Sequence, residues 1–155
     1  MSVRLVVQRV REASVHADGT SVAAIGTGLL VFVGFGREDA DIGAWPSIEA
    51  TLRKLPLLRI FPDSDKHMNT SLTDVGGEVL LVSQFTLYAD CSKGRRPSFH
   101  LACPPQAAAG LYAKVCAAMR SILPGKVQSG VFAADMDVSL TNWGPVTLLL
   151  DSNDM

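Results

Sequence analysis

Cysteine and histidine are scarce in this 155-residue sequence, and their placement excludes more than their number does. Cys91, Cys103 and Cys116 are odd in number, far apart and without a C-x-x-C pair. They read as reduced structural thiols, and neither a disulfide framework nor a zinc site is expected. His16, His67 and His100 are equally scattered, so no metal and no cofactor is expected. An excess of one charge is also missing. The formal net charge of −1 makes the molecule no polycation, and any nucleic acid must be met through a local patch. No apolar run approaches the ~20 residues of a membrane-spanning helix, and the longest, 29–35, is strand-sized, so no membrane partner is expected. No signal-peptide h-region precedes the first strand-like stretch, and the expected address is cytoplasmic. Repeats, linkers and low-complexity tracts are absent, which points to one domain over residues 1–155. A hydrophobic fraction of 48% against 19% charged residues supplies that domain with a real core.

What is present is mostly strand. Val3, Leu5 and Val7 alternate with Arg4, Val6 and Gln8, the period of a half-buried strand. This strand continues through Val10 and Val15 to an Asp18-Gly19 hairpin turn, with residues 21–25 returning antiparallel. Residues 29–33 are apolar on both faces, as in a central strand. Residues 38–54 read as a helix with acidic residues first and Arg53 and Lys54 last, although Pro46 is tolerated only in an opening turn. Residues 57–61 and 78–84 read as strands, with a turn at 74–77. A second helix covers 106–122, with Leu111, Val115, Ala118, Met119 and Ile122 on one stripe. Strands at 127–132, 136–141 and 146–150 complete a mixed α/β domain, the last two joined by a Gly144-Pro145 turn.

Three stretches carry chemistry. Ser83-Gln84-Phe85-Thr86-Leu87-Tyr88 crowds hydroxyls, an amide and aromatics at the end of a buried strand, where polar groups need partners or a ligand. Thr86 is a nucleophile with Ser83 or Gln84 assisting, or only a hydrogen-bonding group; no His stands in partnership with it. Lys93, Arg95 and Arg96 form the one dense basic cluster, either a solvated loop or a clamp on phosphate. At Gly144-Pro145 one residue lacks Cβ and the next lacks an N–H, so the corner offers carbonyl oxygens at close range, or is simply a turn.

At these residues the chain closely resembles the D-aminoacyl-tRNA deacylases. It carries Ser83-Gln84-Phe85-Thr86-Leu87 and Asn142-x-Gly144-Pro145-Val146-Thr147, framed by Gln8-Arg9-Val10, Leu58-Arg59-Ile60-Phe61, Met68-Asn69, Asp74-Val75-Gly76-Gly77-Glu78, Lys93-Gly94-Arg95-Arg96-Pro97-Ser98-Phe99 and Ala134-Asp135-Met136. The resemblance spans residues 3 to 152, with Trp143 at a variable position. It implies largely antiparallel, barrel-like sheet layers with two main helices packed on one side.

The resemblance further implies hydrolysis of the ester between a D-amino acid and the tRNA 3′-terminal adenosine, by a homodimer without metal. Thr86, Ser83 and Gln84 would be the catalytic residues. Phe85, Leu87, Met136, Asn142, Gly144, Pro145, Val146 and Thr147 would bind substrate, and Lys93, Arg95 and Arg96 would meet tRNA phosphates. The Gly-Pro bond is cis in that family and reaches into the partner's pocket, where two carbonyls would clash with an L-residue's Cβ and admit a D-residue. Glycyl-tRNA would escape this filter. Two other readings come from different classes: a non-catalytic nucleic-acid-binding module on the same fold, and a general small-substrate esterase.

Overall fold

The computed structural model describes residues 2–155. Its longest strands, β1 (Arg4–Ala17) and β8 (Met136–Asp151), run antiparallel along their whole lengths. On its other edge β1 is shared. Arg4 to Val10 pair with β3 (Gly28–Gly34), and Ala13 to Ala17 pair with β2 (Thr20–Ile25). The β1–β2 reversal is the expected hairpin: Asp18 and Gly19 both have positive φ, 51° and 76°, as a type I′ turn requires. β3 then pairs parallel with β6 (Glu78–Ser83), which pairs parallel with β7 (Val127–Ser129). The Ala24 N–H donates to the Gln128 Oε1 at 2.9 Å, tying β2 back to β7 and nearly closing the sheet into a barrel. Gly28 is obligatory at the start of β3, because a Cβ there would lie 1.8 Å from the Glu78 carbonyl oxygen.

Two cores flank this sheet. Leu29, Val31, Val79 and Leu81 face α1 (Trp45–Lys54) and α3 (Pro105–Ile122), which bring Ile48, Leu52, Val115 and Met119. Leu30, Leu80 and Val82 face the opposite way, onto Val10, Val15 and the first half of β8. β1 serves both layers: Leu5 and Val7 belong to the helical core, Val10, Ala13 and Val15 to the other. β8 changes layers likewise, with Met136, Val138 and Leu140 on one side and Trp143, Leu148 and Leu150 on the other. Strands change layers at bulges, and the β1–β8 register shifts between Gln8 and Glu12.

That shift corrects the sequence reading of residues 136–150. Gly144-Pro145 does not reverse the chain. Gln8 pairs with Thr147 and Val10 with Asn142, so β1 advances two residues while β8 advances five, and residues 143–146 bulge from one continuous strand. The 38–54 helix is also shorter than expected. Short 3-10 turns at Arg37–Ala40 and Ile42–Ala44 precede α1, because Pro46 fits only a first turn. Residues 57–61 are not a full strand. Pro56 sits in a 3-10 turn, Leu55–Leu57, leaving only β4 (Phe61–Pro62), paired with β5 (Met68–Thr70). The turn at 74–77 is the end of a one-turn helix, α2 (Leu72–Val75), capped by Ser71 and closed by Gly76 at φ 65°. β7 stops at Ser129, since the chain turns through Ala133 at φ 63° before β8.

Candidate active site

β6 delivers Ser83 and Gln84 to the sheet's end, where the Gln84 N–H donates to the Val33 carbonyl at 2.8 Å. The chain then turns into a 3-10 helix, Phe85–Tyr88. Gly34 makes this possible: a Cβ on it would meet the Gln84 oxygen at 2.8 Å and the Leu87 Cβ at 2.9 Å. Arg4 fixes the far end of the turn. Its Nη1 donates to the Leu87 carbonyl at 3.2 Å, its guanidinium lies 4.2 Å from the Tyr88 ring centre, and its Nε pairs with Asp151 at 3.3 Å. Tyr88 is buried and donates its hydroxyl to the Ser2 carbonyl. Burial alone would raise the Asp151 carboxyl, but hydrogen bonds from Ser2, the Asn153 N–H and Arg4 outweigh it and hold the group below the ordinary aspartate value.

A cavity of about 670 Å³ opens beside this turn. Ser83, Gln84 and Phe85 form one wall, and Phe132 to Met136 form another. Phe99 meets Phe85 edge-to-face, with ring centres 4.9 Å apart. The two rings are 40% and 52% exposed, an open aromatic pair at the mouth. Cys103 in the lining is no nucleophile, since burial, with Asp39 nearby, pushes its thiol up and keeps it protonated. Thr86 is exposed and does not line the cavity. Its Oγ1 accepts from the Gln84 Nε2 at 2.5 Å, and among the described residues no His or carboxylate hydrogen-bonds it.

The Gly144-Pro145 corner is a built object. The peptide is cis, and Gly144 has φ 143°, a conformation L side chains rarely adopt. Asn142 spans the bulge, its Oδ1 accepting from the Val146 N–H at 2.7 Å and its Nδ2 donating to the Val146 carbonyl and the Thr147 Oγ1, both at 3.1 Å. Arg9, only 7% exposed, anchors it from beneath. Its Nε donates to the Trp143 carbonyl and its Nη1 to the Ile60 carbonyl, both at 2.7 Å. Its guanidinium also lies 4.6 Å from the Trp143 ring centre, as does that of Arg11. The bulge carbonyls of Trp143 and Val146 are thus occupied, while Gly144 and Pro145 are exposed and have no partner in β1.

Of the residues singled out in the sequence, Ser83, Gln84, Phe85 and Met136 line one cavity. Thr86 and Leu87 lie just beyond it on the same turn. Gly144, Pro145 and Val146 lie in the bulge and Asn142 and Thr147 flank it, and none of them lines this cavity. Lys93, Arg95 and Arg96 are fully on the surface, in a loop pinched shut where Asp90 and Ser98 exchange backbone hydrogen bonds of 2.7 and 2.9 Å. Arg9, Phe99 and Arg37 were not assigned roles. Arg9 had a signal, a charged residue on the buried side of an alternating strand after Leu5 and Val7. The structure also gathers ligand atoms of Asp63, Asp65 and His67 within 4.8 Å of one another, a grouping their spacing had not suggested. The Asp63 carboxylate there is already engaged by the N–H groups of His67 and Asp65, and the His67 bond is the main cause of its lowered pKa.

Known proteins match this arrangement over nearly its whole length. The family model described as D-Tyr-tRNA(Tyr) deacylase matches residues 6–151. A D-aminoacyl-tRNA deacylase of Solidesulfovibrio magneticus is 62% identical over 154 residues, covering 99% of this chain and 98% of that one. Its counterpart in Nitratidesulfovibrio vulgaris is 56% identical, over 99% and 95%. Among solved structures, one described as c-Myc DNA Unwinding Element Binding Protein superposes with a TM-score of 0.87 at 40% identity, covering 95% of this chain and 97% of that one. Another, a probable eukaryotic D-amino acid tRNA deacylase, shares the fold with a TM-score of 0.82 at 22% identity, over 97% and 100%. A match spanning both motif-bearing elements at this identity leaves one assignment, and the chain belongs to the D-Tyr-tRNA(Tyr) deacylase family.

Proposed function

We propose that the protein hydrolyses the ester between a D-amino acid and the 3′-terminal adenosine of tRNA, and that it rejects L-aminoacyl esters through the Gly144-Pro145 corner of a second subunit. The observation that carries this reading is the corner itself: pinned by Arg9 and Asn142, exposed at Gly144 and Pro145, and outside the lining of its own cavity. A rigid, outward acceptor edge with no use in its own protomer is suited to a partner's pocket. An L-residue would drive its Cβ into those carbonyls, a D-residue would turn its side chain away, and glycine has no Cβ to reject. Glycyl-tRNA is therefore a secondary substrate.

A second copy has a place to dock. Val82, Phe32, Val6 and Leu149 are successive cross-strand neighbours, forming an apolar row from the cavity wall to the outermost strand. Leu149 is 68% exposed, and β8 pairs only with β1 among the described residues. Long unpaired edges beside exposed apolar side chains invite pairing.

Within the pocket the catalysis is non-covalent. Thr86 lacks a base, so water attacks the ester carbonyl, assisted by the 2′-hydroxyl of the substrate, and the proton passes to the departing 3′ oxygen. The N–H groups of Phe85 and Thr86 open a 3-10 turn, have no partner within it, and suit the developing oxyanion. Gln84 and Phe85 hold the adenosine, and Lys93, Arg95 and Arg96 meet the acceptor-stem phosphates in the cytoplasm. DNA binding without catalysis is the second reading, favoured by the description of the 40%-identical structure and disfavoured by the net charge of −1.

Paired turnover of D- and L-tyrosyl-tRNA tests both parts. Wild type should hydrolyse the D ester alone, and Gly144→Ala should lose D turnover or discrimination, because its Cβ would sit 2.8 Å from the Val146 nitrogen. Mixing Gly144→Ala with Phe85→Ala subunits should restore hydrolysis, since one hybrid site then has an intact pocket and an intact visiting corner. Equal hydrolysis of both esters, or none of either, refutes the proposal; failure of the mixture refutes its cross-subunit part.

A further inference from the structure

The cavity lining contains one cation. Arg37 sits at its edge and Asp135 is the lone carboxylate there, while the rest is apolar or neutral. The Arg37 side chain is exposed, and among the described residues no ion pair or hydrogen bond engages its guanidinium. Its backbone, by contrast, is fixed. The Arg37 N–H donates to the Leu101 carbonyl at 2.9 Å. The Asp39 carboxylate, two residues on, is buried and accepts the Gly36 N–H at 2.7 Å. A charged side chain on a rigid base, facing a cavity and without an internal partner, is organised for a ligand anion.

Which anion follows from what surrounds it. The same short segment that holds Arg37, residues 99–102, begins with Phe99 of the open aromatic pair. The basic loop closes immediately before Phe99, at the Asp90–Ser98 bridge. Arg37 therefore shares the cavity lining with the aromatic pair, while Lys93, Arg95 and Arg96 are exposed in the loop that closes next to Phe99. A ring platform with a guanidinium beside it suits a nucleotide, its base against the aromatics and its phosphate on the cation.

We infer that Arg37 binds the phosphate 5′ to the 3′-terminal adenosine, while the basic loop meets phosphates further along the same strand, a division that rests on the aminoacyl-tRNA reading above. Three substrates separate these roles: 2′(3′)-O-D-tyrosyl-adenosine, the same ester bearing a 5′-phosphate, and D-tyrosyl-tRNA. For wild type the 5′-phosphate should raise kcat/KM about tenfold, the size of one charge-assisted hydrogen bond, and mainly through KM. Arg37→Met should collapse that ratio towards one, and Arg37→Lys should recover part of it. The Arg95→Ala/Arg96→Ala double variant should keep the phosphate effect on the mononucleotide yet lose activity on tRNA, with a shallower salt dependence. A phosphate effect that survives in Arg37→Met, or that wild type lacks, overturns the inference while leaving the deacylase reading intact. If wild type hydrolyses none of the three esters, the deacylase reading falls and the inference with it.

Discussion

Replacing Arg9 by methionine removes the anchor beneath the Gly144-Pro145 corner and nothing else of comparable size. Methionine retains an unbranched apolar stem against Trp143, so the packing loss is small. What disappears are two charge-assisted hydrogen bonds, to the carbonyls of Trp143 and Ile60, each 2.7 Å long, and the guanidinium's contact with the Trp143 ring. Bonds of this kind contribute about 1.5–3 kcal/mol each, and the carbonyls left behind are partly or wholly buried. Part of that is returned, because a guanidinium no longer has to be desolvated; burial, with the Arg11 charge beside it, already depresses the Arg9 pKa. The net expectation is a loss of about 2–4 kcal/mol in unfolding free energy. Arg9→Lys should lose nearly as much, because a single ammonium nitrogen cannot stand at both the Nε and the Nη1 positions from which the two carbonyls are reached. Urea denaturation measures this as a lower midpoint at unchanged slope. On the proposed chiral filter the functional counterpart is a lower D/L turnover ratio, since Arg9 no longer holds the bulge through the Trp143 carbonyl. Loss below about 1 kcal/mol, the size of an ordinary surface change, would refute the claim that Arg9 holds the corner. So would an undiminished D/L ratio in a variant that is measurably destabilised.

Two further outcomes follow from the same geometry. Thr86→Ala should keep hydrolysis within about tenfold of wild type, because the hydroxyl only accepts a hydrogen bond from Gln84 and has no base; complete loss with an intact fold would restore a covalent mechanism. Asp39→Asn should change the pH dependence of stability. Burial raises the Asp39 carboxyl above its ordinary value, only partly offset by the Gly36 N–H, so folding favours the protonated form. The wild type is then favoured below the unfolded-state value of about 4 and loses that contribution as pH rises through the higher folded value. Asparagine still accepts the Gly36 N–H without the charge, so melting temperatures should diverge in its favour across that window, and a constant difference would contradict the assignment.

The sequence by itself determined the features that depend on near neighbours. Alternation marked β1, an Asp18-Gly19 pair marked its hairpin, apolar residues on both faces marked β3 as central, and the apolar stripe marked α3. The resemblance carried by two motifs supplied the fold and the family. Pairing across the sheet was beyond it. Residues 136–150 read as two strands and a turn because Gly-Pro punctuation is local, whereas both halves pair with the same strand more than a hundred residues earlier. The register along β1 made Gly144-Pro145 a bulge at the point where two strands change layers, and it placed Arg9 beneath. Tertiary structure alone joined Phe85 to Phe99 and set Arg37 beside them, since those side chains come from segments that only the parallel β3–β6 pairing and the Cys103 N–H to Phe35 carbonyl bond draw together. Periodicity fixes which face of a strand is buried; which strand covers that face, and what its end opens onto, is settled by contacts whose energy no local pattern contains.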